Sequence, residues 1–347
     1  MNSSSTRGRA GGLTVQQSFP RPRPTTNPYL RQLADAIGSQ PGVRVLPFSW
    51  RSALLGRYDV FHVHWPEILV TGASPTKTLV RQLLTLLLVA RLAVLRRPIV
   101  RTLHNLTPWE GLDGRRAALV RLIERRTALV VLLNDLTPVP RRTLSALVPH
   151  GHYRDWYDTS AAPGEGEPGR AAFVGLIRPY KGVESLVEVF RSVPGEVALA
   201  VAGKPASPEL ASRLQELASG DPRVELDLRY LDDVDLVAAV RRARLVVLPH
   251  RGMHNSGSAL AALSLDRPVL VPANEVNERL AREVGEQWVR QYDGDLDAAD
   301  IAAALSAAEG IAAGERPDLS NREWPAAGRA HVEAYRTAIA RARGRRQ

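Results

Sequence analysis

Residues 245–274, LVVLPHRGMHNSGSALAALSLDRPVLVPAN, constrain the fold more than any other stretch. Residues 245–248 are short, apolar and continuous, as a buried parallel strand is. Residues 249–255 form a polar loop. Asn255 and Ser256 then stand where a helix begins, and both residue types are good N-caps. Residues 259–265 are helical in composition, Asp266-Arg267-Pro268 ends the helix, and residues 269–271 read as the next strand. The amides of Ser256, Gly257 and Ser258 are thus expected at a helix N-terminus, where they can receive an anion, and Gly257 lets a phosphate approach closely. An ordinary capped helix in an α/β sheet explains the same residues.

The unit repeats along the chain. Strands are expected at 13–19, 42–46, 58–65, 98–103 and 128–133, with helices at 29–37, 78–95 and 115–125, and residues 143–148 close the first half. Residues 20–29 hold too much proline to be helical. A second alternation starts at Ala171, with strands at 171–177, 197–202 and 224–228 and helices at 183–190, 208–218 and 234–242. Helices at 299–308 and 325–341 follow. Residues 157–170, with DTSAAPGEGEPG, read as the linker. A chain of 347 residues exceeds what one core holds, about 250–300 residues. The expected organisation is a disordered tail (1–12), a Rossmann-like domain (13–156), the linker, a second Rossmann-like domain (171–324), and a C-terminal helix (325–347) that packs back on the first. The fold class is α/β, two doubly wound domains facing a central cleft.

The net charge of +10 favours an anionic partner, and arginine supplies most of it. The absence of cysteine excludes disulfides and thiolate metal sites and fits a reducing cytoplasm. No secretory signal is visible at residues 1–12. No aromatic-basic motif supports nucleic-acid binding, so nucleic acid is not an expected partner.

In FVGLIRPYKG (173–182), Arg178 and Lys181 follow a strand at its carboxyl end, where such sheets bind ligands. With the helix at Ser256 they could clamp a diphosphate, whose negative charge grows as it leaves. Two solvated cations on a loop are the plain alternative. Glu275 could contact a ribose or cap the next helix.

In FHVHWPE (61–67), strand alternation puts His62 and His64 on one face. His62, His64 or Glu67 could serve as general base, as could His104 at the end of the next strand. Buried histidines shaping the sheet end explain them equally well. No third ligand accompanies the His-x-His pair, so no metal is expected. Asn27, Trp65, Asn105, Trp109, Glu110, His150 and His152 are the candidate acceptor contacts. Each also has a structural explanation: Asn27 as N-cap before Pro28, Trp109 in a capped loop, His150 and His152 packing a hinge. Residues 79–95, LVRQLLTLLLVARLAVL, form the most apolar helix, interrupted by Arg81 and Arg91 and flanked by Lys77, Arg96 and Arg97. It is either a buried helix or one lying at an anionic membrane surface.

FVGLIRPYKG, DVFHVHW, LVPHGHYRDWY and residues 245–272 resemble the corresponding segments of GT-B glycosyltransferases, over residues 13–340. PHGHY, GLIRPYKG and NSGSALAALSLDRPV are most similar to bacterial exopolysaccharide and glycolipid mannosyltransferases. The resemblance implies transfer of a hexose, mannose from GDP-mannose, to a saccharide or lipid-linked saccharide in cell-surface glycan synthesis. It implies a nucleotide-sugar co-substrate without other cofactor or metal, and a cytoplasmic enzyme at the inner face of the membrane. Two departures stand out. Retaining relatives carry two glutamates where this chain has Met253 and Ala261, and the arginine of FVGRL is replaced by Leu176, with Arg178 two residues later. Missing carboxylates favour inversion by one general base. They also leave open a nucleotide-sugar epimerase of the same fold or a catalytically silent binding protein.

Overall fold

The computed structural model describes residues 12–23, 26–104, 111–139, 141, 143–158, 166–250 and 252–344. The chain divides into two compact units, Met1–Gly151 with Arg322–Gln347, and His152–Asn321. The second unit begins ahead of the Pro/Gly-rich stretch, of which residues 159–165 lie outside the described residues.

The first unit is built from β1 (Leu13–Gln17), α1 (Pro28–Gly38), β2 (Val43–Leu46), α2 (Trp50–Leu55), β3 (Val60–Val63), α3 (Glu67–Val70), α4 (Pro75–Val94), β4 (Ile99–Leu103), α5 (Gly114–Arg126), β5 (Thr127–Leu132) and β6 (Leu144–Leu147). Its six strands are parallel in the order β2-β1-β3-β4-β5-β6. β3 and β4 are buried at every position, as central strands covered on both faces must be. The second unit contains β7 (Arg170–Val174), α6 (Val183–Phe190), β8 (Ala198–Ala202), α7 (Pro208–Ala218), β9 (Val224–Asp227), α8 (Asp233–Arg242), β10 (Leu245–Val247), α9 (Gly257–Ser264), β11 (Val269–Pro272), α10 (Glu275–Val284), β12 (Val289–Tyr292) and α11 (Ala298–Glu309). Its sheet, also parallel, runs β12-β11-β10-β7-β8-β9. Counted from β7, this is the doubly wound order 3-2-1-4-5-6.

The final helix, α12 (Trp324–Gly344), packs on α1 and β5 of the first unit. Its buried residues, among them Ala327, His331, Tyr335 and Ala338, recur at helical spacing and define one face. Gly328 permits the approach to α1, because a β-carbon there would lie 2.2 Å from the Ala36 carbonyl oxygen.

Four elements were not expected from sequence: α2, α3, β12 and the full extent of α10. The first two span six and four residues, too few to show a period. Strands end earlier than expected, β3 at Val63 and β7 at Val174, so His64, Trp65 and Gly175 belong to loops at the carboxyl edge.

Tyr335 is fully buried. Replacing it with alanine should destabilise the first unit by about 3–5 kcal/mol. Denaturant unfolding followed separately in the two units should show the loss in the first and leave the second unchanged.

Candidate functional site

In the second unit the strand order reverses between β7 and β10. Crossovers on the two sides of such a point leave to opposite faces and open a crevice at the carboxyl ends. The loop after β7 makes a short 3-10 turn, Pro179–Lys181, closed by Gly182 in the left-handed region at φ 66°. A β-carbon on Gly182 would lie 2.4 Å from the Pro249 carbonyl oxygen, so glycine is what lets this loop meet the one after β10.

Lys181 is buried, 8 % exposed, with Nζ 5.7 Å from the centre of the Phe173 ring. A β-carbon placed on Gly175 would stand 4.0 Å from Lys181 Nζ and 3.9 Å from Ser258 Oγ. Ammonium and hydroxyl therefore border the same small space over a bare glycine backbone. Burial, reinforced by the neighbouring Arg178, lowers the Lys181 pKa to about 8. Arg178 turns one guanidinium nitrogen onto the Ile177 carbonyl at 3.1 Å.

Ser256 is the N-cap of α9, its Oγ accepting the Ala259 amide at 3.1 Å. That leaves the amides of Gly257 and Ser258 at the helix start, with Asn255 preceding the cap. His250, which sequence reasoning passed over, stands in the same loop. It is 7 % exposed, its Nε2 lacks a hydrogen-bond partner among the described residues, and Tyr180 and Phe173 meet its ring edge-on. Burial, then Lys181, brings its pKa to about 3, so it is neutral. The signal for it was a histidine directly after Pro249 at a strand end. The positions that lack glutamate are apolar in the fold: Met253 is buried and Ala261 packs against the core. Of the two roles expected of Glu275, that of helix cap falls to its neighbour. The cap of α10 is Asn274, and Glu275 is exposed and paired with Arg279 at 2.8 Å, one helical turn on.

In the first unit the order reverses between β1 and β3, and the histidines gather there. His62 is 0 % exposed, bonded through Nε2 to Thr102 Oγ1 at 2.9 Å and through Nδ1 to Tyr335 Oη at 2.7 Å. This corrects its reading as a base: a fully buried ring with both nitrogens engaged anchors α12 to the sheet. His64 is also buried, with Nδ1 3.2 Å from His104 Nε2 and Nε2 3.3 Å from Gln17 Oε1. Its amide donates to Ser18 Oγ at 3.1 Å. Its own surface is closed, so it acts at most through His104. His104 is half-buried and stacks on Trp65, ring centres 4.2 Å apart. Tyr29 stands edge-on to His104 and lies 4.4 Å from the His150 ring. Asn27 spends its side-chain oxygen on the Tyr29 amide as N-cap of α1.

His150 donates to the Gly151 carbonyl at 2.8 Å. His152 belongs to the second unit, where it is buried and accepts from the Arg154 amide. Asn105, Trp109 and Glu110 lie outside the described residues.

Glu67 opens α3 at the end of the β3 loop. Its Oε2 is buried without a hydrogen-bond partner among the described residues, and burial raises its pKa. Such a carboxylate is more basic than one in water.

Burial lowers the pKa of every imidazole in this cluster: strongly for His62 and His64, to about 3 for His104 and about 4 for His150 and His331. The unfolded chain therefore binds protons, below about pH 6.5, that the folded unit refuses. The first unit should be at full stability above pH 6.5 and lose it steadily as pH falls toward 4. Unfolding midpoints measured across that range test this; a flat profile would contradict the buried neutral network.

Residues 168–309 match the family described as "Glycosyl transferases group 1". Over 328 residues, 94 % of this chain and 93 % of the relative, the sequence is 43 % identical to the GDP-mannose:glycolipid 4-beta-D-mannosyltransferase of Xanthomonas campestris pv. campestris. Similar solved structures include a glycosyltransferase involved in avilamycin A biosynthesis (TM-score 0.58, 14 % identity, 94 % of this chain and 98 % of that one). Sucrose-phosphate synthase from Thermosynechococcus elongatus is similar too (TM-score 0.58, 16 % identity, 96 % and 98 %). At such identities the likeness speaks for the fold, which is GT-B. With its two parallel doubly wound sheets and its full-length likeness to the Xanthomonas enzymes, the chain belongs to the group 1 glycosyltransferases.

Proposed function

We propose that this glycosyltransferase moves mannose from GDP-mannose to a saccharide on a lipid carrier, with inversion, in exopolysaccharide or cell-surface glycan synthesis. The observation that carries the reading is the 43 % identity to a GDP-mannose:glycolipid 4-beta-D-mannosyltransferase along nearly the whole of both chains. GDP-mannose is an α-glycoside of its diphosphate, so a β-linked product requires direct displacement from the opposite face. The apolar Met253 and Ala261, where retaining relatives have carboxylates, agree with that route.

The second unit holds the donor. Lys181, Arg178, Ser258 Oγ and the amides of Gly257 and Ser258 receive the diphosphate. The lysine is charged below its pKa of about 8 and supplies the positive charge that a metal supplies elsewhere. His250, neutral and with a ring nitrogen that has no partner among the described residues, can accept from or donate to the nucleotide. The first unit holds the acceptor. Glu67 takes the proton of the attacking hydroxyl, since its desolvated oxygen, unpartnered among the described residues, is the most basic of the candidate groups there. His104 and Trp65 offer a flat stacked face to a sugar ring, backed by His64. Among the described residues no helix is long and apolar enough to cross a membrane. The enzyme meets its lipid-linked acceptor from the cytoplasmic side, at an anionic membrane surface.

Incubation with GDP-mannose and a lipid-linked saccharide should release GDP only when acceptor is present and give a β-mannoside by NMR. Epimerised donor, or binding without turnover, would overturn the reading. Glu67→Gln should lower kcat by about 10²–10⁴-fold while GDP affinity stays the same. Lys181→Ala should weaken GDP binding about 10- to 100-fold, as loss of a charged hydrogen bond does. Because a neutral Lys181 must take up a proton to bind the diphosphate, GDP affinity should fall as pH rises above about 8, by about tenfold per unit. Lys181→Arg should abolish that limb in calorimetric titrations.

A further inference from the structure

α4 is built inside out. Its buried face contains Gln82 and Thr85 beside Leu88, Val89 and Leu92. Its outward face carries Leu79, Val80, Leu83, Leu86, Leu87 and Val94, 43–81 % exposed. At 3.6 residues per turn these six fall within an arc of about 120° that also holds Thr76 and Ala90 and no charge. The helix's two arginines are drawn off that arc. Arg81 donates to the carbonyls of Ile68 and Thr71 at 2.9 and 2.6 Å, and Arg91 donates to Tyr58 Oη at 2.9 Å and to the Gly56 carbonyl. Leu55 on α2 and Ile68 on α3, the elements packed against α4, are 77 % and 53 % exposed. Large apolar side chains gathered on one exposed helix face in this way mark an interaction site.

A cavity of about 230 Å³ opens at the carboxyl end of the same helix. Arg96, Arg97, Arg126 and Arg341 line it, over Leu92 and Ile99, and no carboxylate is among its lining residues. Asp59 pairs with Arg97 at 3.0 Å, and Arg96 and Arg126 bring two further guanidiniums to the same lining. Arg96 holds the turn with a left-handed backbone, φ 52°. Lys77 lies at the other end of the stripe. Residues 68–109 contain no aspartate or glutamate.

We propose that α4 lies flat on a bilayer of acidic phospholipid, its leucine stripe in the acyl boundary and one lipid phosphate in the arginine cavity. The proposal rests on the reading of a lipid-linked acceptor and names the surface that brings the enzyme to it. The stripe, residues 79–94, is about 22 Å long, too short to span and suited to lying in the interface. Guanidinium forks match phosphate oxygens. A second copy of this chain is a poorer occupant. Pairing two such stripes, parallel or antiparallel, brings their basic ends together with no acid to offset them.

The test is sedimentation of the full chain with vesicles of phosphatidylcholine alone or with about 30 % phosphatidylglycerol. Binding is expected only with the acidic lipid. It should fall by about tenfold or more in Leu83→Glu/Leu87→Glu and, separately, in Arg96→Glu/Arg126→Glu. Inorganic phosphate should release the wild type more effectively than chloride at equal ionic strength. Equal binding to neutral vesicles, unchanged binding of either double variant, or no advantage of phosphate over chloride would overturn it. So would a dimer in ultracentrifugation that Leu83→Glu/Leu87→Glu abolishes without any vesicle binding by the wild type. If either double variant unfolds, Lys77→Glu and Leu87→Ser serve instead, with a smaller loss in the same direction. Transfer to a soluble saccharide acceptor should be unchanged in the surface variants. A wild type that binds vesicles but transfers to no acceptor would end the transfer reading and leave the docking surface standing.

Discussion

A parallel sheet whose strand order reverses has one place where adjacent crossovers leave to opposite faces, and the rest of this molecule is arranged around two such places. Strands buried on both faces cannot offer chemistry from their middles, so reactive groups collect where the strands stop. In the second unit that edge brings Lys181, Gly175 and the start of α9 together, although more than seventy residues separate the first two from the last. In the first unit it collects Gln17, His64 and His104 from three different strand ends.

The two edges solve opposite electrostatic problems. Lys181 is kept out of water with no carboxylate paired to it among the described residues, so on the proposed donor reading its charge is available to an anion. The histidines are buried neutral and tie one another and Tyr335 together by hydrogen bonds, so α12, the last element of the chain, becomes part of the first sheet's packing. Glu67 opens the helix that follows the same strand, and burial of its carboxyl, with one oxygen unpartnered among the described residues, is what raises its pKa.

The far side of the first unit follows another rule. Two arginines of α4 turn inward to backbone carbonyls and leave six large apolar residues facing out. That arrangement costs solubility and is retained at surfaces with a partner. The basic cavity at its end gives the partner a sign.

Hydrophobic period and helix caps made most of the fold legible: the alternation, both sheets, Asn27 and Ser256 as caps, and the place of Lys181 are all local signals. Short elements such as α2, α3 and β12 were not, because four to six residues do not complete a period. Nor could spacing tell His62 from His104. Both end up near a strand terminus, and only packing showed that one is sealed by Thr102 and Tyr335, the latter 273 residues away, while the other is half-buried and stacked on Trp65. The burial of His250 and of the Glu67 oxygen that has no partner among the described residues was likewise invisible, since desolvation belongs to the assembled neighbourhood. The sequence by itself determined which residue types stand at each strand end. The tertiary structure alone decided which of them remain free to react, because burial and hydrogen-bond partners come from distant parts of the chain.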